Sequence, residues 1–267
     1  MNPLRLWGLM VLLLALAGCT STVTRTEAKA DEKVQPAPKD EKSIKKLADT
    51  RLELASLYFS RGQSDTALAE IKKVIDAVPD YGPAYNLRGL IYASLGNSAQ
   101  AESSFQRALQ INPRDADTMQ NYGWFLCQNQ RFAEADQQFS AALVQPNYRG
   151  AAMTLRAMGN CQARDGRLAD AEASLARSYQ LDPGNAATAI NLADVQYRRG
   201  EYERARFYVD RVNKVPAQTN AQSLWLSARI ERKLGNEAAV RIVGNQLRER
   251  FPNSPEALAF EQSRFNE

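Results

Sequence analysis

The sequence contains no histidine in 267 residues. Histidine is the commonest general base and the commonest metal ligand in enzymes, so its absence excludes Ser-His-Asp catalysis and histidine-based zinc sites. Positive and negative charges are also nearly balanced. The sequence has 34 Lys and Arg and 30 Asp and Glu, so its formal net charge is only +4, which is too little to indicate nucleic-acid binding. No Gly-rich phosphate loop, nucleophilic Ser motif or metal cluster is present, so we expect no catalytic residue, metal, cofactor or small-molecule substrate.

Long hydrophobic runs are scarce, and the longest lies at the start of the chain. It covers Leu6–Ala17, which is too short to span a bilayer, since spanning takes about 20 residues, but fits the apolar part of a signal peptide. The run ends Leu16-Ala17-Gly18-Cys19 and resembles the bacterial lipobox. The resemblance implies a lipoprotein signal peptide over residues 1–18, acylation of Cys19 and, because Thr20 follows, sorting to the outer membrane. An ordinary signal peptide followed by a chance cysteine is the alternative.

For residues 19–42 we predict an acylated cysteine followed by a flexible linker. The segment is rich in charge, Thr and Pro, and its only large apolar residues are Val23 and Val34. Such a composition buries too little apolar surface to offset the entropy of ordering the chain. As a coil it would reach roughly 25–30 Å from a membrane surface.

The remainder of the sequence repeats at intervals close to 34 residues. Turn glycines recur in register, an Ala or Val follows each by five residues, and a proline closes each unit; the glycines are Gly62, Gly96, Gly166, Gly200 and Gly235. The second unit carries the fullest pattern, with Tyr85, Gly89, Tyr92, Gly96, Ala101, Phe105, Ala108 and Pro113. It resembles the tetratricopeptide repeat (TPR), a pair of packed helices.

The resemblance implies an all-α TPR superhelix over residues 43–267. Two stretches per unit have apolar residues at i, i+3, i+4 and i+7, as amphipathic helices do, and small residues at the eighth position let the two helices approach closely. In the third unit Gln130 replaces the turn glycine. The predicted repeats are 48–81, 82–115, 116–151, 152–185, 186–220 and 221–254, followed by a capping helix over 255–267.

The concave wall of a TPR superhelix is built by the first helix of each repeat, and it usually binds an extended peptide or a helix of a partner. Transferring the family's groove positions to repeats one to three gives Leu52, Ser56, Phe59, Asn86, Leu90, Gln120, Trp124 and Gln128, with Asn121 adjacent. Of these we take all but Ser56 as candidate groove residues. Apolar anchors supply affinity, and amides can hold a peptide backbone through both donor and acceptor. Packing inside a tight superhelix is the alternative for Leu90 and Trp124. A late basic cluster of Arg229, Arg232 and Lys233 is either a second binding surface or a solvated helix face.

Two cysteines remain, at the twelfth position of the third first helix and the tenth of the fourth. These positions lie about 200° apart around a helix. On two neighbouring parallel helices, one side chain therefore faces the next repeat while the other faces the preceding repeat. An exported lipoprotein would also occupy an oxidising compartment. We therefore predict a Cys127–Cys161 disulfide, with two reduced thiols as the alternative.

The lipobox, the charged linker and six TPR units together resemble the PilF/PilW family of type IV pilus biogenesis lipoproteins. More particular similarities are "NYGWFLCQNQRFAEA" and "AQSLWLSARIERKLGN". The resemblance implies a pilotin-type role at the periplasmic face of the outer membrane, where the protein helps a secretin subunit to localise and multimerise, or stabilises the pilus. The alternatives are a general TPR scaffold for envelope enzymes or outer-membrane protein assembly, and an anchored peptidoglycan hydrolase using a pair of Glu residues.

Overall fold

The computed structural model describes residues 40–265, and within them the chain is entirely helical. The predictions for the signal peptide, for Cys19 and for most of the linker therefore lie outside the described residues. The all-α TPR fold is confirmed, and thirteen helices are present in this part of the chain. None of these helices combines the length and the apolar character needed to cross a membrane.

The helices form six antiparallel pairs and one final helix. The first helices of the pairs are α1 (Glu41–Ser60), α3 (Gly82–Ser94), α5 (Ala116–Gln128), α7 (Ala151–Arg164), α9 (Ala186–Arg198) and α11 (Ala221–Lys233). The second helices are α2 (Ser64–Ala77), α4 (Ser98–Ile111), α6 (Phe132–Leu143), α8 (Leu168–Leu181), α10 (Tyr202–Asn213) and α12 (Glu237–Arg250), and α13 (Pro255–Glu261) ends the stack.

Both ends of the repeat domain differ from the sequence-based expectation. Helix α1 begins at Glu41, inside the predicted linker, because the Asp40 side chain accepts a hydrogen bond from the backbone N–H of Ser43 and so caps an earlier start. Helix α13 ends at Glu261 instead of continuing to the end of the chain. The chain reverses there through Ser263, whose φ is +55°, and this reversal brings the ring of Phe265 onto Trp225.

Each pair of helices is held together at a point where the first helix has almost no side chain. A Cβ added at Gly123 would lie 2.9 Å from the ring of Phe139, and one added at Gly159 would lie 2.6 Å from Leu175. Real Cβ contacts are longer, so only glycine fits at these points without a rearrangement of the core. Phe139 and Leu175 are fully buried in consequence.

Ion pairs connect successive repeats along one edge of the stack. An arginine at the turn within a repeat reaches back to a carboxylate on the second helix of the preceding repeat. The pairs are Arg131–Glu102 at 2.7 Å, Arg167–Asp136 at 2.7 Å and Arg199–Glu172 at 2.8 Å. Because the three arginine side chains keep about a third of their surface exposed, each pair contributes little free energy. Their regular placement favours one register of the stack.

The turns inside the repeats require the left-handed backbone conformation. The five turn glycines have φ between 73° and 81°, and Gln130, which replaces the glycine of the third repeat, has φ of 61°. A side chain with a Cβ costs about 1–2 kcal/mol in this region, whereas glycine adopts it without steric cost. The third repeat is therefore the strained one of the six.

We predict that Gln130→Gly stabilises the protein by about 0.5–1 kcal/mol, because relief of the left-handed strain exceeds the extra entropy that glycine gives the unfolded chain. Gly96→Gln places the same side chain in the same turn of the second repeat and should destabilise by a similar amount. Thermal unfolding followed by circular dichroism measures both changes. Equal melting temperatures for the wild type and the two variants would contradict the assignment of strain to Gln130.

Candidate protein-binding groove

An apolar pocket of about 440 Å³ lies where the first helices of repeats one to three meet. Five of the eight predicted groove residues line it: Phe59, Leu90, Asn121, Trp124 and Gln128. The other residues of the lining are Ala93, Ser94, Gly96, Ser98, Phe105, Phe125 and Asn129. None of these twelve residues carries a charge, so the pocket is suited to an uncharged, bulky side chain.

Trp124 occupies the central place in this surface. Its neighbours on α5 are buried, including Tyr122, Gly123 and Phe125, whereas Trp124 itself is half-buried against the same core. Its indole also lines a second pocket of about 210 Å³ together with Gln120, Met153, Arg156, Ala157 and Asn160. Trp124 therefore separates two adjoining pockets and is accessible from both of them.

Amide side chains lie beside the apolar pocket. The Asn121 amide nitrogen donates a hydrogen bond to the Asn86 side-chain oxygen over 3.2 Å, which links α5 to α3. Within the described residues this bond leaves the Asn121 oxygen and the Asn86 nitrogen without further partners, and Gln128 has none at all. The Asn86 nitrogen and the Gln128 amide nitrogen thus stay available as donors, and the Asn121 and Gln128 oxygens as acceptors, for the backbone of a bound segment.

The structure places the three other predicted groove residues outside the main pocket. Leu52 packs against the core of the first repeat together with Phe59 and Leu90. Asn86 holds Asn121, and Gln120 belongs to the second pocket. Conversely, Phe105 of α4 lines the main pocket although it is a core residue of its repeat. Its ring becomes part of the pocket through the stacking of neighbouring repeats, which a single repeat in the sequence does not encode.

The late basic cluster is partly engaged by neighbouring side chains. The Arg229 guanidinium lies 4.6 Å from the centre of the Tyr197 ring, and Arg232 pairs with Glu237. Phe265, near the end of the chain, packs on Trp225 with ring centres 5.2 Å apart, and Lys233 also has contacts of its own. The chain's own C-terminal residues therefore cover this end of the inner wall.

A partly buried carboxylate lies close to this cluster. Burial raises the pKa of Asp194, and the positive charges of Arg198 and Arg229 partly offset that rise. Within residues 40–265 no group of three or more Cys, Asp or Glu side chains could hold a metal ion. The Asp194 carboxylate lies 3.9 Å from the Arg198 guanidinium, one turn along α9.

The structure joins Cys127 and Cys161 in a disulfide between α5 and α7, with Cα atoms 5.8 Å apart. Both cysteines are fully buried, in the same cluster as Phe125 and Leu126. The bond joins the helix that presents Trp124 to the first helix of the next repeat. It therefore fixes the third repeat, which contributes most to the pocket, against the fourth.

Comparison with known proteins places the repeats in a recognised class. Models of the tetratricopeptide repeat match residues 82–115, 104–137, 126–186 and 162–230. The type IV pilus assembly protein PilF of Pseudomonas aeruginosa is 25% identical over 254 residues, which cover 94% of this chain and 96% of that protein.

Two solved structures are similar over most of their length. The crystal structure of PilW, a widely conserved type IV pilus biogenesis factor, has a TM-score of 0.74 and 30% identity, covering 79% of this chain and 97% of that one. The structure of PilF from Pseudomonas aeruginosa has a TM-score of 0.72 and 24% identity, covering 83% and 99%.

We predict that the disulfide stabilises the folded protein by roughly 3–4 kcal/mol, because it closes a loop whose ends are 34 residues apart in the unfolded chain. The double variant Cys127→Ala/Cys161→Ala should unfold at a correspondingly lower urea concentration. Reductant added to the wild type during unfolding should reproduce that loss, whereas the double variant should not respond to it. A wild type that unfolds identically with and without reductant would contradict the prediction.

Proposed function

We propose a pilotin-type role for this chain, which belongs to the PilF/PilW family of type IV pilus biogenesis proteins. In this proposal the chain is acylated at Cys19 and held at the periplasmic face of the outer membrane. It binds a segment of the type IV pilus secretin in the groove of repeats one to three, and so promotes localisation and multimerisation of the secretin. The observation that carries the proposal is the uncharged pocket around Trp124.

The composition of this pocket supports capture of a protein segment. Trp124, Phe59 and Leu90 offer apolar surface to one or two large side chains, and burial of such anchors supplies most of the affinity of a typical interface. Asn86 and Asn121 are hydrogen-bonded to each other next to this surface, and the remaining Asn86 nitrogen and Asn121 oxygen can hold the backbone of an extended segment. A pocket that is apolar at its centre and polar at its margin is typical of protein–protein recognition.

The disulfide between the third and fourth repeats supports the same role. The disulfide anchors α5, the helix that presents Asn121 and Trp124, to α7, so this wall of the pocket is fixed before a partner arrives and less ordering entropy opposes binding. We further propose that the protein has no catalytic activity, since the groove holds amide and apolar side chains but no ionisable group. Zymography on peptidoglycan tests this proposal, because a clearing zone would reveal the hydrolase activity that it excludes.

We predict that Trp124→Glu and Leu90→Glu each weaken capture of the secretin by at least about thirtyfold, as expected for central anchors of an interface. The measurement is a pull-down from detergent-solubilised outer membranes, with the bound protein identified by mass spectrometry. Val144→Glu is the matched control, because Val144 is 78% exposed and does not line the pocket. Circular dichroism of each variant must remain that of the wild type, since a loss of helicity would identify the residue as core. Undiminished capture by a folded Trp124→Glu variant would contradict the groove assignment.

We predict that deletion of the gene abolishes secretin multimers and twitching motility, because unassisted subunits do not reach or assemble in the outer membrane. Multimers are measured by electrophoresis without complete denaturation, and a copy carrying Val144→Glu should restore them. Survival of multimers and motility in the deletion strain would favour the alternative role, a general TPR scaffold of the envelope.

A further inference from the structure

The exposed side of the second helices changes character in the last two repeats. One position, five residues after the start of each second helix, is exposed in all six repeats. In repeats one to four it holds small or polar side chains, namely Ala69, Ser103, Gln137 and Ala173. In repeats five and six the same position holds Phe207 and Ile242, which are 55% and 59% exposed. We call the exposed side of α10 and α12 the outer face of repeats five and six.

Positive charge is concentrated in the same two repeats. Residues 186–254, which form repeats five and six, contain 12 Lys and Arg against 7 Asp and Glu, whereas residues 40–185 contain 16 against 17. The described part of the chain therefore carries its excess charge at one end. Such asymmetry attracts an anionic partner to that end of the stack and orients it as it approaches.

The cations and the apolar side chains of the outer face lie beside one another. The Arg211 guanidinium lies 5.6 Å from the centre of the Phe207 ring, one turn along α10. Phe207 also contacts Tyr208, which in turn packs against Tyr179 of α8, each pair with ring centres 5.1 Å apart. Arginine next to exposed phenylalanine and half-buried tyrosine is the composition of proteins that bind at the membrane–water interface.

Acidic residues on this face only partly neutralise it. Glu203 is paired with Arg206, and Asp210 lies between the charges of Lys214 and Arg206. Glu249 is exposed on α12. Among the described residues, Arg211 and Arg241 have no carboxylate partner, so their charges remain available to phosphate groups.

We propose that the outer face of repeats five and six docks on the surface of an anionic phospholipid bilayer. Arg211, Lys214 and Arg241 contact lipid phosphates while Phe207 and Ile242 enter the headgroup region. A bilayer fits better than an acidic protein because the apolar side chains stand singly among cations, one per helix, whereas a protein interface would present a contiguous apolar centre. The inner groove lies on the first helices and stays open while the outer face is bound.

Lysine footprinting of the full chain tests this docking. The protein is mixed with vesicles of phosphatidylcholine alone, or of phosphatidylcholine in which about a third of the lipid is phosphatidylglycerol, and exposed amines are acetylated and quantified by mass spectrometry. We expect acetylation of Lys214 to fall at least about threefold on the anionic vesicles only. Lys72, 75% exposed on α2 at the other end of the stack, is the internal reference and should not change. Protection should also vanish at an ionic strength of about 0.5 M, where the Debye length is only about 4 Å.

Two double variants complete the test. Arg211→Glu/Arg241→Glu reverses two outer-face charges and should abolish the protection of Lys214, since each cation near an anionic surface contributes about a fivefold factor to binding. Arg114→Glu/Arg149→Glu makes the same change in net charge at exposed positions elsewhere and should leave the protection intact. Equal acetylation of Lys214 on neutral and anionic vesicles would overturn the proposal, as would equal protection in both double variants. Because no partner protein is present, this outcome is independent of secretin binding in the groove.

Discussion

The close approach of the two helices in each repeat is the constraint on which the rest of the structure depends. At Gly123 and Gly159 the first helix has no side chain between its backbone and the core of the second helix. This contact fixes which side of α5 and α7 faces inward, and all other side chains on those helices follow from it. Trp124 is directed to the inner wall and Cys127 to the next repeat because Gly123 is committed to Phe139.

The same geometry divides the molecule into two surfaces of different chemistry. The first helices of repeats one to three present an uncharged, largely apolar wall. The second helices of repeats five and six present arginines beside isolated apolar side chains. In a stack of helix pairs, neighbouring repeats are the main contacts of each repeat. The two ends can therefore carry unrelated surfaces without a cost to the packing between them.

Most of this fold can be predicted from the sequence because it is periodic. The parts of the structure that do not repeat could not be predicted in this way. The turn glycines, the small eighth residues and the pairing faces of Cys127 and Cys161 all follow from a spacing near 34 residues. The cover that Phe265 provides over Trp225 does not follow, because it depends on a chain reversal after the last helix. The place of Phe105 in the pocket wall does not follow either, because that wall is formed by residues of three different repeats.

The covalent bond between the third and fourth repeats also has a mechanical meaning. A helical stack pulled from its two ends lengthens by peeling off repeats, and each released residue adds up to about 3.5 Å of extended chain. The residues between Cys127 and Cys161 are 34 apart in sequence and only 5.8 Å apart in space, so roughly 120 Å of potential extension is withheld. Under tension the ends of the stack would yield first, while the loop between Cys127 and Cys161 could not lengthen. The joint between the third and fourth repeats is thus the segment that load extends last.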